Sequence, residues 1–286
     1  VSERLRRGLA IPVFLLVTAC AEGSAGEPAD WEDFSSARQL DGVEHLDVEV
    51  TYGAGSLELA PAEGDLLYRF ETSYDASTTR PYADFDPAAG TLRLGIRGRE
   101  EGVSGNFGDE AHASVALAPE VPTSLEIRFG AGQADLELGG LALDQVQVQT
   151  GASETTLRWS EPNRIQARQV RLDAGAASLE AIGLGNANAA EFEIRGGVGE
   201  TTLDFGGEWS RSASARVRMG LGSLTLRLPR SLGVRVEKRG AMTSFDGAGL
   251  VKRDNGYYSR NWESAETKLT LDIDAALGSI AVEWIP

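Results

Sequence analysis

The chain has 286 residues, with 27 Lys and Arg against 43 Asp and Glu, a formal net charge of −16. That is the wrong sign for nucleic acid or anionic lipid. One cysteine and two histidines exclude a disulfide framework, thiolate zinc and a Cys nucleophile in the fold, and leave little for a zinc or Ser-His-Asp enzyme.

Residues 1–19 open with Val1-Ser-Glu-Arg-Leu-Arg-Arg7, continue through the apolar LAIPVFLLV of Leu9 to Val17, and end in Thr18-Ala19 before Cys20. This is the pattern of a secretory leader whose apolar core is too short to span a bilayer stably. The VTAC run is similar to the lipobox of bacterial lipoproteins, which implies cleavage before Cys20 and acylation of its thiol and amino groups. Two or more chains then tether the protein to a membrane. Ala21 is not the Asp that commonly retains lipoproteins at the inner membrane, so an outer-membrane address is expected, or the outer face of the cytoplasmic membrane in a cell with one membrane. Residues 20–42, in which AEGSAGEPAD (21–30) follows Cys20, read as a flexible tether, with folded structure expected from near Val43.

From there one phrase is written seven times: VEVTYGAGSLEL (48–59), LEIRFGAGQADLEL (125–138), VQVQTGASETTLRW (146–159), VRLDAGAASLEA (170–181), FEIRGGVGETTLDF (192–205), ARVRMGLGSLTL (215–226) and LDIDAALGSIAV (271–282). Before each turn an apolar, polar, apolar alternation gives a strand with one dry and one wet face. The leucine pairs after the turn suggest two turn lengths differing by two residues, an insertion that preserves strand parity. Glycine anchors at 130, 151, 175, 197 and 220 are spaced like coils of a parallel β-solenoid. An antiparallel sandwich explains the alternation, but not why seven strands share one turn at one phase. The expected fold is all-β: a right-handed parallel β-solenoid with antiparallel strand or hairpin caps at both ends. Residues 43–124 form the N-terminal cap and 125–286 the solenoid, interrupted at 230–268 by an insertion whose Asp254-Asn-Gly256 suits a hairpin.

The chemistry-bearing motifs are sparse. Gly53-Ala-Gly55, Gly130-Ala-Gly132 and Gly220-Leu-Gly222 lack the later glycine of a dinucleotide fingerprint, and GGVGET (196–201) lacks the Asp of a calcium-binding glycine repeat. No cofactor, metal or catalytic residue is assigned. The candidate binding face combines outward acids Glu58, Glu137, Glu180 and Asp204, the turn residues Thr155 and Thr201, and Tyr257, Tyr258 and Trp262, whose rings suit a sugar or a partner protein. Outward acids and arginines alternate along Glu126, Gln147, Arg171, Glu193 and Arg216, as stacked strands need to avoid like-charge repulsion.

The opening LDVEVTYGAGSLELAP, with LLYRFETSY (66–74) and GTLRLGIRG (90–98), resembles the N-terminal toast-rack domain, and the glycine-turn repeats resemble the adhesin-type and LiaF-like β-solenoid domains of bacterial envelope proteins. The resemblance implies a non-enzymatic interaction module, engaging an envelope protein or glycan. It also implies an alternative, an accessory that modulates envelope-stress signalling, although this chain lacks the membrane-spanning helices of LiaF-like proteins. A carbohydrate-active β-helix enzyme is the remaining alternative, because paired carboxylates on such a scaffold can cleave glycans.

Overall fold

The computed structural model describes residues 29–99, 111–240, 242–254 and 256–286. The expected leader, Cys20 and residues 20–28 of the expected tether lie outside them. In chain order the strands are β1 (Trp31–Gln39), β2 (Leu46–Pro61), β3 (Leu66–Asp75), β4 (Thr79–Asp86), β5 (Thr91–Gly98), β6 (His112–Leu117), β7 (Thr123–Glu137), β8 (Leu143–Arg158), β9 (Ala167–Ile182) and β10 (Ala189–Asp204). They continue with β11 (Ala213–Pro229), β12 (Gly233–Arg239), β13 (Met242–Asp246), β14 (Val251–Arg253), β15 (Gly256–Tyr258) and β16 (Lys268–Ile285).

The seven glycine phrases are β2, β7, β8, β9, β10, β11 and β16, and they stack parallel in that order. Alternation supplies the reason. Val48, Leu125, Val146, Val170, Phe192, Ala215 and Leu271 form one inward ladder, and Val50, Ile127, Val148, Leu172, Ile194, Val217 and Ile273 the next, all buried. Past the turn, Leu59, Leu136, Leu157, Ala181, Leu203, Leu226 and Val282 close the core from the other side. Trp159 is fully enclosed, and Phe192 meets Phe205 edge-on at 5.8 Å. The result is an all-β parallel solenoid with antiparallel strands at both ends.

The register corrects the reading of two turn lengths. Leu57 pairs with Ala134, Ala134 with Thr155, Thr155 with Leu179, Leu179 with Thr201, Thr201 with Leu224 and Leu224 with Ile280. Every copy therefore has one turn length. The apparent insertion is a small or hydroxylated side chain in an inward position that other copies fill with leucine or isoleucine.

Two more expectations change at the ends. Residues 31–39 are a strand rather than tether, pairing antiparallel with β3 over nine positions. Of the two aromatic side chains in WEDFSSARQ, Trp31 and Phe34, Phe34 packs on Phe70 at 6.1 Å, and the rest is polar or small, so backbone pairing rather than an apolar face holds the strand. Nor are the caps purely antiparallel. Strands β5 and β6 both run parallel to β2, before and after its turn, and β12 and β13 do the same against β16. Each end is thus a coil split in two, with antiparallel strands outside it: β3 and β1 beyond β6, β4 beyond β5, and the expected β14–β15 hairpin beyond β12.

Return segments between coils carry buried asparagines that tie neighbours together. Asn163 accepts from the Leu143 amide at 2.8 Å and donates to the Leu143 and Ile165 carbonyls at 2.7 and 2.9 Å. Asn186 donates to the Trp159 carbonyl at 2.8 Å and accepts from the Glu208 amide at 2.7 Å. These side chains satisfy backbone groups that a loop of irregular shape leaves unpaired in the interior.

Candidate functional site

The four candidate acids do not form one column. Glu58 pairs across the sheet with Asp135, and Glu180 with Thr156 and Thr202, so these two share a level three strands apart, about 14 Å at the spacing of a sheet. Glu137 and Asp204 lie one outward level further on, facing Arg158 and Arg227. Three of the four have structural tasks. Glu137 Oε1 accepts from the Gly139 amide at 2.8 Å and the Ser160 hydroxyl at 2.9 Å, and Asp204 Oδ1 accepts from the Gly206 amide at 2.7 Å. Arg227 bridges Glu180 at 3.1 Å and Glu283 at 3.4 Å.

Thr155 and Thr201 leave the candidate face altogether. Both are buried in the inward column just described, and the Thr155 hydroxyl lies 3.0 Å from that of Ser153, inside the solenoid. The physical cause is parity: the residue two positions before an inward leucine also points inward.

The outward acid and arginine ladder is as expected and more extensive. Glu49, Glu126, Gln147, Arg171, Glu193, Arg216 and Asp272 stand in one register. Glu193 is its centre, contacted by Arg195 at 2.6 Å, Arg171 at 3.3 Å and Arg218 at 3.7 Å. Burial acts to raise its pKa, but these guanidiniums outweigh burial and hold the carboxyl below its ordinary value. Where Glu49 and Glu126 stack directly, Arg128 contacts both carboxylates, and elsewhere Arg171 meets Glu193, so the charges tie adjacent coils together.

The aromatic group gathers at the C-terminal cap. Tyr258 and Trp262 meet edge-on at 5.6 Å, and Tyr257 packs against Phe245 at 4.6 Å. Their faces are occupied by the chain's own cations: Arg235 and Arg253 lie 5.7 and 5.6 Å from the Tyr258 ring, Lys252 5.9 Å from Tyr257 and Lys268 5.3 Å from Trp262. These contacts hold the rings and cations together and leave the cation heads near water. Beside them a cleft of about 330 Å³ is lined by Arg230, Gly249, Ser259, Arg260, Asn261 and Trp284. Among the described residues no three or more His, Cys, Asp or Glu side chains group as a metal site.

One feature escaped the sequence. The central residue of each turn forms an outward column in which Val198 pairs with Leu221, Leu221 with Leu277, and Leu277 with Met242. Among the described residues five large hydrophobic side chains stand exposed, and these are four of them.

The family model for the N-terminal domain of toast_rack matches residues 27–182 and 169–227. The chain belongs to the toast_rack N-terminal-domain family. Solved structures similar to this toast-rack chain include a putative cell adhesion protein from Clostridium sporogenes, 14% identical, spanning 90% of this chain and 100% of that one with a TM-score of 0.46. A putative adhesin from Bacteroides fragilis is 13% identical over 88% and 97% of the two chains, with a TM-score of 0.40. Another from Parabacteroides merdae is 11% identical over 89% and 97%, with a TM-score of 0.42. No curated protein matches.

What the toast-rack chain offers chemically is a rigid display. Of the candidate acids Glu137, Glu180 and Asp204 are paired or cap loop amides, Thr155 and Thr201 are interior, and the half-exposed rings of Tyr257, Tyr258 and Trp262 collect with their cations on one end.

Proposed function

We propose that this protein is a lipid-anchored, non-catalytic module of the cell envelope that engages an acidic envelope component, protein or glycan, at its C-terminal cap. The observation that carries the reading is a local reversal of charge. On a chain of net charge −16, residues 230–268 hold eight Lys and Arg against five Asp and Glu. Four of those cations are stacked on Tyr257, Tyr258 and Trp262, and two of the four, Arg235 and Arg253, are also paired with Glu237 and Glu263. A stacked cation is positioned before a partner arrives, so less side-chain entropy is lost on binding than from a free lysine.

The test is capture from envelope extracts, and on an array of acidic and neutral envelope glycans, by the wild-type chain and by the double variant Lys252→Glu/Arg253→Glu in exposed β14. The expected result is capture that weakens with added salt and disappears in the variant. Capture unchanged by the charge reversal would refute the cap as the binding end. Degradation of any glycan in the same mixtures would overturn the non-catalytic part of the reading.

A further inference from the structure

The turn-centre column changes along the solenoid. Its residues are Ala54, Ala131, Ala152 and Ala176 in the first four coils, then Val198, Leu221, Leu277 and Met242 in the last four. The first four show that the turn itself is satisfied by alanine, so the fold does not require the larger side chains. They are also poorly placed for stability, being 54%, 47%, 42% and 70% exposed. Stacked at the spacing of a sheet, they make a continuous convex ridge about 14 Å long.

Chemistry beside the ridge is asymmetric. Three residues before each ridge position stand Arg195, Arg218, Asp274 and Arg239, with the three arginine side chains 42%, 52% and 62% exposed. Two residues after stand Glu200, Ser223, Ser279 and Ser244. All three guanidiniums already pair with carboxylates, Arg195 and Arg218 with Glu193 and Arg239 with Asp272, so it is the apolar crest itself that suits the boundary between acyl chains and headgroups.

The start of the described chain supplies a second, independent observation. Asp33 pairs with Ser73, Ser73 with His112 and His112 with Ser56, which follows the first glycine turn. Two residues earlier, Trp31 is therefore level with the turn centre at Ala54. The chain is fixed there: the Asp30 amide donates to Asp75 Oδ1 at 3.0 Å, and the Asp30 carbonyl accepts from the Ala76 amide at 2.7 Å. The residues leading back to Cys20 thus leave from the same edge of the solenoid that carries the ridge, about 34 Å along it.

We infer that this edge docks side-on against a phospholipid bilayer, with Val198, Leu221, Leu277 and Met242 inserted at headgroup depth. The orientation rests on the lipid-anchor reading; the ridge does not. A second copy is the weaker occupant, because four side chains at these exposures present on the order of 400 Å², half of what each partner of a stable dimer buries. Net charge opposes adsorption of the molecule as a whole, so contact depends on this local crest, and the tether sets only the orientation.

The test uses the chain from Ala21 onward, which carries neither the apolar leader nor Cys20 and keeps every described residue, in flotation with vesicles of phosphatidylethanolamine and phosphatidylglycerol and, separately, of phosphatidylcholine. Flotation with both vesicle types is expected, and the chain's net negative charge makes it the weaker with the phosphatidylglycerol vesicles. Leu221→Ser/Leu277→Ser/Met242→Ser should lower partitioning at least about tenfold, and Met242→Ser alone, at the most exposed position, should lower it measurably while the fold is intact by circular dichroism. Ala152→Ser, in the same column, should leave it unchanged. Failure of this leaderless chain to float, or equal flotation of the serine variants, overturns the proposal. So does a ridge-dependent dimer in sedimentation with no ridge-dependent flotation. Intact mass of wild-type chain recovered from bacterial membranes tests acylation separately, so an unmodified Cys20 sinks the anchor without sinking the ridge.

Discussion

Replacing Gly222 with alanine tests how the coils are held at their turns. Gly222 has φ +147°, where an L side chain is strained by roughly 1–3 kcal/mol. A Cβ there would fall 1.8 Å from the carbonyl oxygen of Gly199 in the preceding coil, far inside van der Waals contact. Retreat toward the next coil is blocked in turn, since the Gly222 carbonyl sits where a Cβ on Gly278 would fall. Forcing one of these backbones to shift adds about 1–3 kcal/mol, as overpacking does elsewhere. The expected loss is therefore about 2–6 kcal/mol, a large share of the stability of an ordinary domain. The column contains its own precedent. Ser153 and Ala177 occupy it without positive φ, and the pairing of β8 with β9 lapses between Thr150↔Ala174 and Glu154↔Ser178. Urea unfolding followed by far-ultraviolet circular dichroism measures the loss, with the slope watched for broadening because repeat arrays unfold in sections. Leu221→Ala, one residue away and outward, is the control and should stay within about 0.5 kcal/mol. If Gly222→Ala also stays within about 1 kcal/mol, close carbonyl packing is not what sets the turn.

Three further outcomes are expected. Phe205→Ala should cost about 3–5 kcal/mol in the same assay, because it removes a fully buried ring and the edge-on contact with Phe192; an unchanged midpoint would mean the site collapses freely. Asn163→Ala should cost about 1–3 kcal/mol, by leaving the buried Leu143 amide and carbonyl without their side-chain partner, and faster hydrogen exchange at Leu143 would locate the damage. Glu193 has a folded pKa held below its ordinary value of 4.5, so its contribution is present above that pH and is lost as pH falls through the folded pKa. Glu193→Gln should accordingly lower the melting temperature at neutral pH and flatten its fall in acid; a wild-type acid slope retained in the variant counts against the pairing with Arg171, Arg195 and Arg218.

Much of the solenoid was legible because its first half-strands combine two signals in one phrase. Alternation at Val48 and Val50 or at Phe192 and Ile194 assigns the inner face, and the glycine fixes the phase, so the register of the charged ladder through Glu193 followed from sequence. Past the turn only leucines marked the inner face. Ala134, Thr155 and Thr201 share that face with small or polar side chains, which made three turns look longer and two buried threonines look like surface. Strand β1 was missed because it is polar and held by pairing with β3. The split coils were missed because β5, β6, β12 and β13 lack the shared glycine phrase. The ridge was hidden for a different reason: a valine, leucine or methionine in a turn says nothing about its neighbours until register places four of them together.

Strand β16 follows the whole cap in sequence, yet it lies between β11 and the β12/β13 coil in space. As the polypeptide is delivered end-on, β2 and β7 through β11 can close in succession, each coil templating the next. At β11 that succession stops: β12 to β15 emerge with their permanent neighbour still unmade, and the free edge of β11 stays open until residues 268–285 arrive and slide into the gap. The last step of assembly is therefore an insertion, and until it happens the 17-residue strand β11 keeps an unpaired edge open to other chains.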